Sequence, residues 1–251
     1  NNVFATLNIR GIRSAVKRKD ITEFMDKHRI DVMTIQETHS GEATREKGKK
    51  YSWYFSGKEE AGAIHHGVGI VLKNELRNYV VDVEPINERL MIMTLRGKVT
   101  LYVFSVYGPT ADSTTETKDK FHEKLRSEIK KRRKQGMILI GADLNTKSIE
   151  TGITEEEGIG QYVFGIGTEL QEGIGVEENR TMLKETLMLT GTILANTFFR
   201  KQPEQLITYK LNKTIGTGPP WTKGRYDTID YGMTTSKRKN SIKKHIQYGL
   251  G

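Results

Sequence analysis

Met137-Ile138-Leu139-Ile140-Gly141-Ala142-Asp143-Leu144-Asn145 is an apolar run that stops on an acid and a carboxamide. Short and apolar, it reads as a buried strand over residues 137–141, with Asp143 and Asn145 at its exit. A helix over residues 114–134 feeds it, with Phe121, Leu125 and Ile129 on one face. Toward the N-terminus the same alternation recurs. Residues 3–8 form a strand, Ile12, Val16, Ile21, Phe24, Met25 and His28 recur at helical spacing, and residues 31–36 form a second strand. Strands at 51–56, 67–72, 79–83, 90–95 and 100–107 follow at close intervals. Beyond a loop rich in glycine and glutamate come a helix near 181–189 and strands at 193–197, 205–209 and 226–233. No Pro- or Ser-rich linker and no internal repeat divides the chain. One α/β domain over residues 1–251, built on two packed sheets, is expected.

The 251 residues include no cysteine, which excludes disulfides, thiolate metal sites and a cysteine nucleophile. The longest apolar stretches, 99–107 and 137–142, fall short of the about 20 residues that span a bilayer, and no membrane partner is expected. Intracellular action is expected. Formal net charge is +9, so the partner should be an anion, with nucleic acid foremost. Lys118, Lys120, Lys124, Arg126 and residues 130–134 make the long helix basic, and Lys237, Arg238, Lys239, Lys243 and Lys244 make a second cluster. The run at 130–134 suits a solvated helix end that complements the helix dipole. For the second cluster, solvation and phosphate contact both stay open.

Polar residues recur where strands end. Asn8 closes the first, Gln36-Glu37-Thr38 the second, and Tyr107-Gly108-Pro109-Thr110 a later one. Asp143 and Asn145 exit the strand at 137–141, and Asp230-Tyr231 lies within the last. Carboxylates, carboxamides and a phenol on rigid strand ends suit a hard cation and a phosphate. An aspartate can orient or deprotonate water, and neutral donors can hold developing charge. Each residue alone has an ordinary reading as a turn, a cap, a packed ring or a solvated acid. Their order and shared position carry the argument.

The series Leu7-Asn8-Ile9-Arg10-Gly11, Ile35-Gln36-Glu37-Thr38, Val106-Tyr107-Gly108-Pro109-Thr110, Ile140-Gly141-Ala142-Asp143-Leu144-Asn145, Asn196-Thr197-Phe198-Phe199 and Ile229-Asp230-Tyr231 resembles the endonuclease/exonuclease/phosphatase superfamily. Within it, the chain is similar to endonuclease domains of non-LTR (LINE-type) retrotransposons and to craniofacial development protein-like sequences. The resemblance implies a four-layer α/β sandwich and a magnesium-dependent nuclease, with manganese able to substitute. Its partner would be double-stranded DNA in the nucleus, nicked to leave a 3′-hydroxyl for target-primed reverse transcription. It would belong to a polyprotein with a reverse transcriptase. By position, Glu37 would be the main metal ligand with Asn8 beside it, and Tyr107 would touch the scissile phosphate. Asp143 would align or activate water, Asn145 would hydrogen-bond the phosphate, and Asp230 would orient a histidine.

That histidine is where the chain departs from the pattern. The family closes its site with Ser-Asp-His, and this chain ends at Gly251 where the motif should begin, so the parent sequence is expected to continue into it. His245 comes too soon after Asp230 to replace it. Arg10 stands where abasic-site repair enzymes more often carry a small polar or acidic residue. Repair nuclease, small-substrate phosphodiesterase and inactive DNA-binding domain remain alternatives. His65-His66 do not read as a metal pair, since adjacent strand residues face opposite ways. The Gly-Ile-Gly units at 158, 165 and 173 meet neither the dinucleotide nor the P-loop spacing. Asn179-Arg-Thr and Asn212-Lys-Thr are glycosylation sequons by pattern only.

Overall fold

The computed structural model describes residues 2–12, 14–57, 66–147, 158–164, 174–210 and 226–241. In chain order come β1 (Phe4–Asn8), α1 (Ala15–His28), β2 (Val32–Gln36), β3 (Arg45–Lys47), β4 (Tyr51–Phe55), β5 (Val68–Lys73), β6 (Val80–Asn87), β7 (Leu90–Arg96) and β8 (Thr100–Tyr107). Then follow α2 (Thr115–Arg132), β9 (Met137–Asp143), α3 (Ile174–Thr190), β10 (Thr192–Leu194), α4 (Pro203–Leu206), β11 (Tyr209–Lys210), β12 (Tyr226–Asp227) and β13 (Asp230–Thr235). The fold class is the expected α/β sandwich of two mixed, mostly antiparallel sheets with flanking helices. The chain divides into two compact units, Asn1–Tyr107 with Arg132–Asp143, and Gly108–Lys131 with Leu144–Gly251.

In the first unit a five-stranded sheet runs β1-β2-β5-β4-β3, and four strands of the second sheet run β9-β8-β7-β6. β1–β2 and β8–β9 are parallel and the other neighbours antiparallel. Strand alternation sorts side chains to two faces. Met33, Ile35, Trp53 and Phe55 meet Ile21 and Met25 of α1, whereas Val32, Tyr54, Ile70 and Leu72 meet Met91, Met93 and Val103 of the second sheet. Val16, expected at helical spacing with Ile21 and Met25, is 68% exposed because, at about 100° per residue, it lies roughly 140° and 180° round α1 from those buried residues. Gly141 lies where β9 passes the first sheet. A Cβ there would overlap Thr34 Oγ1, so the close approach requires glycine.

The second unit departs most from expectation. Of residues 205–209 only Tyr209 lies in a strand, β11. Pro203 opens α4, and Gln202 with Gln205 closes a capping box around it. The expected strand at 226–233 is broken after Asp227, because Ile229 and Asp230 N–H both donate to Thr208 Oγ1 (2.9 and 3.1 Å) rather than to a ladder. Asp230 therefore starts β13 rather than lying within it. Residues 193–197 give a short β10, after which Thr197 Oγ1 donates to Leu194 O at 2.7 Å and closes a 3₁₀ turn. α3 begins seven residues before position 181, at Ile174.

Lys118, read as part of the basic face of α2, is buried. Its ammonium donates to Ala111 O (2.9 Å), Gly175 O (3.2 Å) and the Glu178 carboxylate (2.6 Å). Lys130, Lys131, Arg133 and Lys134 are exposed, in keeping with a solvated helix end. Arg132 is buried, donates to Glu84 (2.6 Å) and lies over the Tyr102 ring.

His122 of α2 is buried against Thr186 Oγ1 of α3 at 2.9 Å, and burial, with Arg126 nearby, pulls its pKa down to about 3. The unfolded chain binds this proton near pH 6.5 and the folded chain does not, so the stability contribution is complete above about 6.5 and is lost as pH falls toward 3. Going from pH 7 to 5 should cost about 2 kcal/mol, lowering the thermal midpoint by roughly 4–8 °C. His122→Gln should abolish most of that shift in a thermal melt. An unchanged shift would exclude His122 as its source.

Candidate active site

Four of the six site residues meet in the first unit, and strand register brings them together. Asn8 pairs with Gln36 across the parallel β1–β2, which puts it beside Glu37. Tyr107 pairs with Asp143 across the parallel β8–β9. All four therefore sit at or one residue past the C-terminal ends of parallel-paired strands. Asn8 Nδ2 donates to Glu37 Oε1 at 2.7 Å and to Asp143 Oδ2 at 2.6 Å. Tyr107 Oη donates to the same Glu37 Oε1 at 3.1 Å. One carboxamide thus holds two acids together in a largely dry place, where Asp143 is 1% exposed.

Asn8 Oδ1 accepts the Arg10 N–H at 3.1 Å. In this geometry the Asn8 nitrogen faces the acids and its oxygen accepts from backbone. Glu37 takes φ +52° and its neighbour His39 φ +54°, left-handed conformations uncommon away from glycine. Such strain is retained where a side chain must be aimed. His39 Nε2 lies 3.8 Å from Glu37 Oε2.

Two carboxylates converging on a single amide nitrogen form a hard-oxygen set. That suits magnesium, which is held by one or two carboxylates plus waters. Among the described residues no cluster of three or more His, Cys, Asp or Glu forms a richer site. A flank that the sequence did not reveal adjoins them. Arg89, in the turn between β6 and β7, lies 5.4 Å over the Tyr107 ring and donates to His66 Nε2 at 2.8 Å. Arginine has no acceptor, so His66 Nε2 bears the lone pair. Burial pulls the Arg89 guanidinium below its ordinary pKa, and Glu88 at 3.6 Å opposes this. No local sequence pattern marks Arg89.

Asn145 and Asp230 belong to the second unit. Asn145, at φ +48°, donates from Nδ2 to Gly108 O at 2.9 Å. Gly108 must be small, since a Cβ there would meet Leu144 O at 2.5 Å. The 144–147 turn is tied to the approach of β13 three times: Leu144 N–H to Ile229 O (3.0 Å), Tyr231 Oη to Thr146 O (2.9 Å) and Lys147 Nζ to Asp227 Oδ2 (3.1 Å). Asp230 accepts Asn196 Nδ2 at its carbonyl, 3.3 Å away. The cluster at Lys237 and Arg238 begins one strand beyond Asp230, about 20 Å along β13. Lys239 sits 4.1 Å over the Phe198 ring. His65, Asn212, Lys243, Lys244, His245, the Gly-Ile-Gly unit at 165 and Gly173 lie outside the described residues, whereas Ile174 and Gly175 of the third such unit open α3.

Residues 5–231 match the Endonuclease/Exonuclease/phosphatase family, and the chain belongs to it. That membership makes it a hydrolase of the nuclease and phosphodiesterase type. No curated protein sequence matches it as a relative. Among solved structures it is similar to the catalytic domain of Xenopus laevis APE2, at 17% identity and TM-score 0.64, covering 94% of this chain and 82% of that one. It is similar to an AP endonuclease from Archaeoglobus fulgidus, at 18% identity and TM-score 0.66, covering 96% and 89%. It is also similar to the endonuclease domain of TRAS1, a telomere-specific non-LTR retrotransposon, at 15% identity and TM-score 0.58, covering 94% and 85%.

Proposed function

We propose that this chain is a magnesium-dependent DNA endonuclease of a non-LTR retrotransposon, nicking duplex target DNA in the nucleus and leaving a 3′-hydroxyl. The observation that carries it is the Asn8 amide shared between Glu37 and Asp143 at 2.7 and 2.6 Å, with Tyr107 on the same Glu37 oxygen. In this reading Glu37 holds the ion with Asn8 bracing it, and manganese can replace magnesium. When bound, the ion neutralises charge that develops on the phosphoryl oxygens. Asp143 aligns the attacking water and accepts its proton. Tyr107 donates to the scissile phosphate, and Asn145 hydrogen-bonds a non-bridging oxygen. Water adds to phosphorus, the P–O3′ bond breaks, and the 3′-oxygen leaves as an alkoxide that takes a proton from solvent to give the 3′-hydroxyl. Asp230 would orient a histidine. The +9 charge favours a polyanionic polymer over a small phosphate ester.

Similarity to AP endonucleases supports a second reading, abasic-site repair. Supercoiled plasmid and an abasic-site duplex, each with magnesium and with chelator, separate the two. The expected result is metal-dependent nicking of intact plasmid, with ends a polymerase extends. Cleavage confined to the abasic duplex selects repair. DNA binding that ignores chelator and yields no product identifies an inactive domain.

A further inference from the structure

The helix that follows the Asp143–Asn145 exit carries a side chain that the proposed chemistry has not used. Asn179, in the second turn of α3, is 2% exposed. Its Nδ2 donates to Pro109 O at 3.1 Å and, at a longer 3.4 Å, to Asn145 O. Those carbonyls belong to the loops that follow β8 and β9, so one carboxamide clasps both. Reversing the amide would set its oxygen against two carbonyls, so the nitrogen assignment is firm. Asn179 Oδ1 has no hydrogen-bond partner among the described residues. An orphaned buried acceptor lowers stability, and its retention calls for a reason other than packing.

We infer that Asn179 is a positioning residue that fixes the aim of Asn145. Asn145 sits at φ +48°, and its carbonyl direction is set by the next backbone angle, which the Asn179 bond restrains. The Asn145 side chain is meanwhile anchored on Gly108 O, next in sequence to the Pro109 that Asn179 also holds. Arg180 Nε donates to Lys147 O at 3.0 Å and holds the end of the same turn. The clasp keeps the Asn145 amide at one orientation. Near-complete burial also withdraws Asn179 from glycosylation in the folded chain, although it heads an Asn-Arg-Thr sequon.

This inference rests on the proposed role of Asn145 at the phosphate, and the test separates the two. Steady-state plasmid nicking would be measured per folded molecule for the parent chain and for Asn145→Ala, Asn179→Ala, their double variant, and Thr186→Val. Thr186→Val disturbs the buried His122 contact between α2 and α3 and leaves the clasp intact. Asn179→Ala should lower kcat about 10- to 100-fold with KM nearly unchanged, as a misplaced catalytic group does. In the Asn145→Ala background it should cost nothing more, because its effect passes through Asn145. Thr186→Val should lower the thermal midpoint yet keep kcat. If Asn179→Ala does not fold, the near-isosteric Asn179→Asp takes its place with the same expected loss. Loss in Asn145→Ala beside parental kcat in the Asn179 variant overturns the positioning role alone. Full activity in Asn145→Ala overturns the phosphate assignment and this inference with it.

Discussion

Asp143→Ala and Glu37→Ala should each lower nicking of supercoiled plasmid by on the order of 10³-fold or more while the protein stays folded. Asp143 and Glu37 are two acids gathered around the single amide of Asn8. Like charges held this close disfavour one another, so deleting either relieves repulsion while, on the proposed roles, it removes a reacting group. The thermal midpoint should therefore hold or rise as activity disappears. The losses differ in kind. On the proposed roles, Glu37→Ala takes away the ion's main ligand, so raising magnesium or manganese should recover part of the rate. On the same proposal, Asp143→Ala takes away the base for the attacking water, so added metal should recover little and higher pH more. A midpoint that collapses with activity would make these acids structural instead. Activity within tenfold of the parent in either variant would undo the assignment.

Legibility in the sequence followed locality. The strand exits at Asn8, Glu37, Tyr107 and Asp143 were readable because apolar runs reveal a strand by themselves. Their meeting follows from parallel register in β1–β2 and β8–β9. Arg89 was hidden because its place over Tyr107 is made by the β6–β7 turn and not by any spacing near Tyr107. Residues 205–209 read as a short strand through Leu206, Ile207 and Tyr209, yet Pro203 and the Gln202–Gln205 box turn their start into helix, so local capping outweighed side-chain composition. Lys118 looked like surface charge because its partners, Gly175 and Glu178, lie some sixty positions away. Asn179 resembled a glycan acceptor for the same reason, its carbonyl partners being distant in sequence.

Asn8→Asp should show whether the paired acids hold a cation, independently of any DNA. The substitution keeps side-chain shape and an oxygen able to accept the Arg10 N–H, but it removes the amide donor between Glu37 and Asp143. Three acids then share a place built for two acids and a donor. Each new like-charge pair at about 4 Å is unfavourable by on the order of 4 kcal/mol at an effective dielectric of about 20, moderated when one group takes up a proton. In chelator the variant should therefore melt well below the parent. Millimolar magnesium should restore much of the difference, since an ion that binds only the folded state stabilises it by mass action. The magnesium-induced rise in midpoint should be several-fold larger in the variant than in the parent. Nicking should still fall by about 10²-fold, because the acids are no longer held in their native orientation by a donor. Equal midpoint shifts in both proteins would mean that magnesium does not bind at this pair, and the catalytic ion would have to be sought elsewhere.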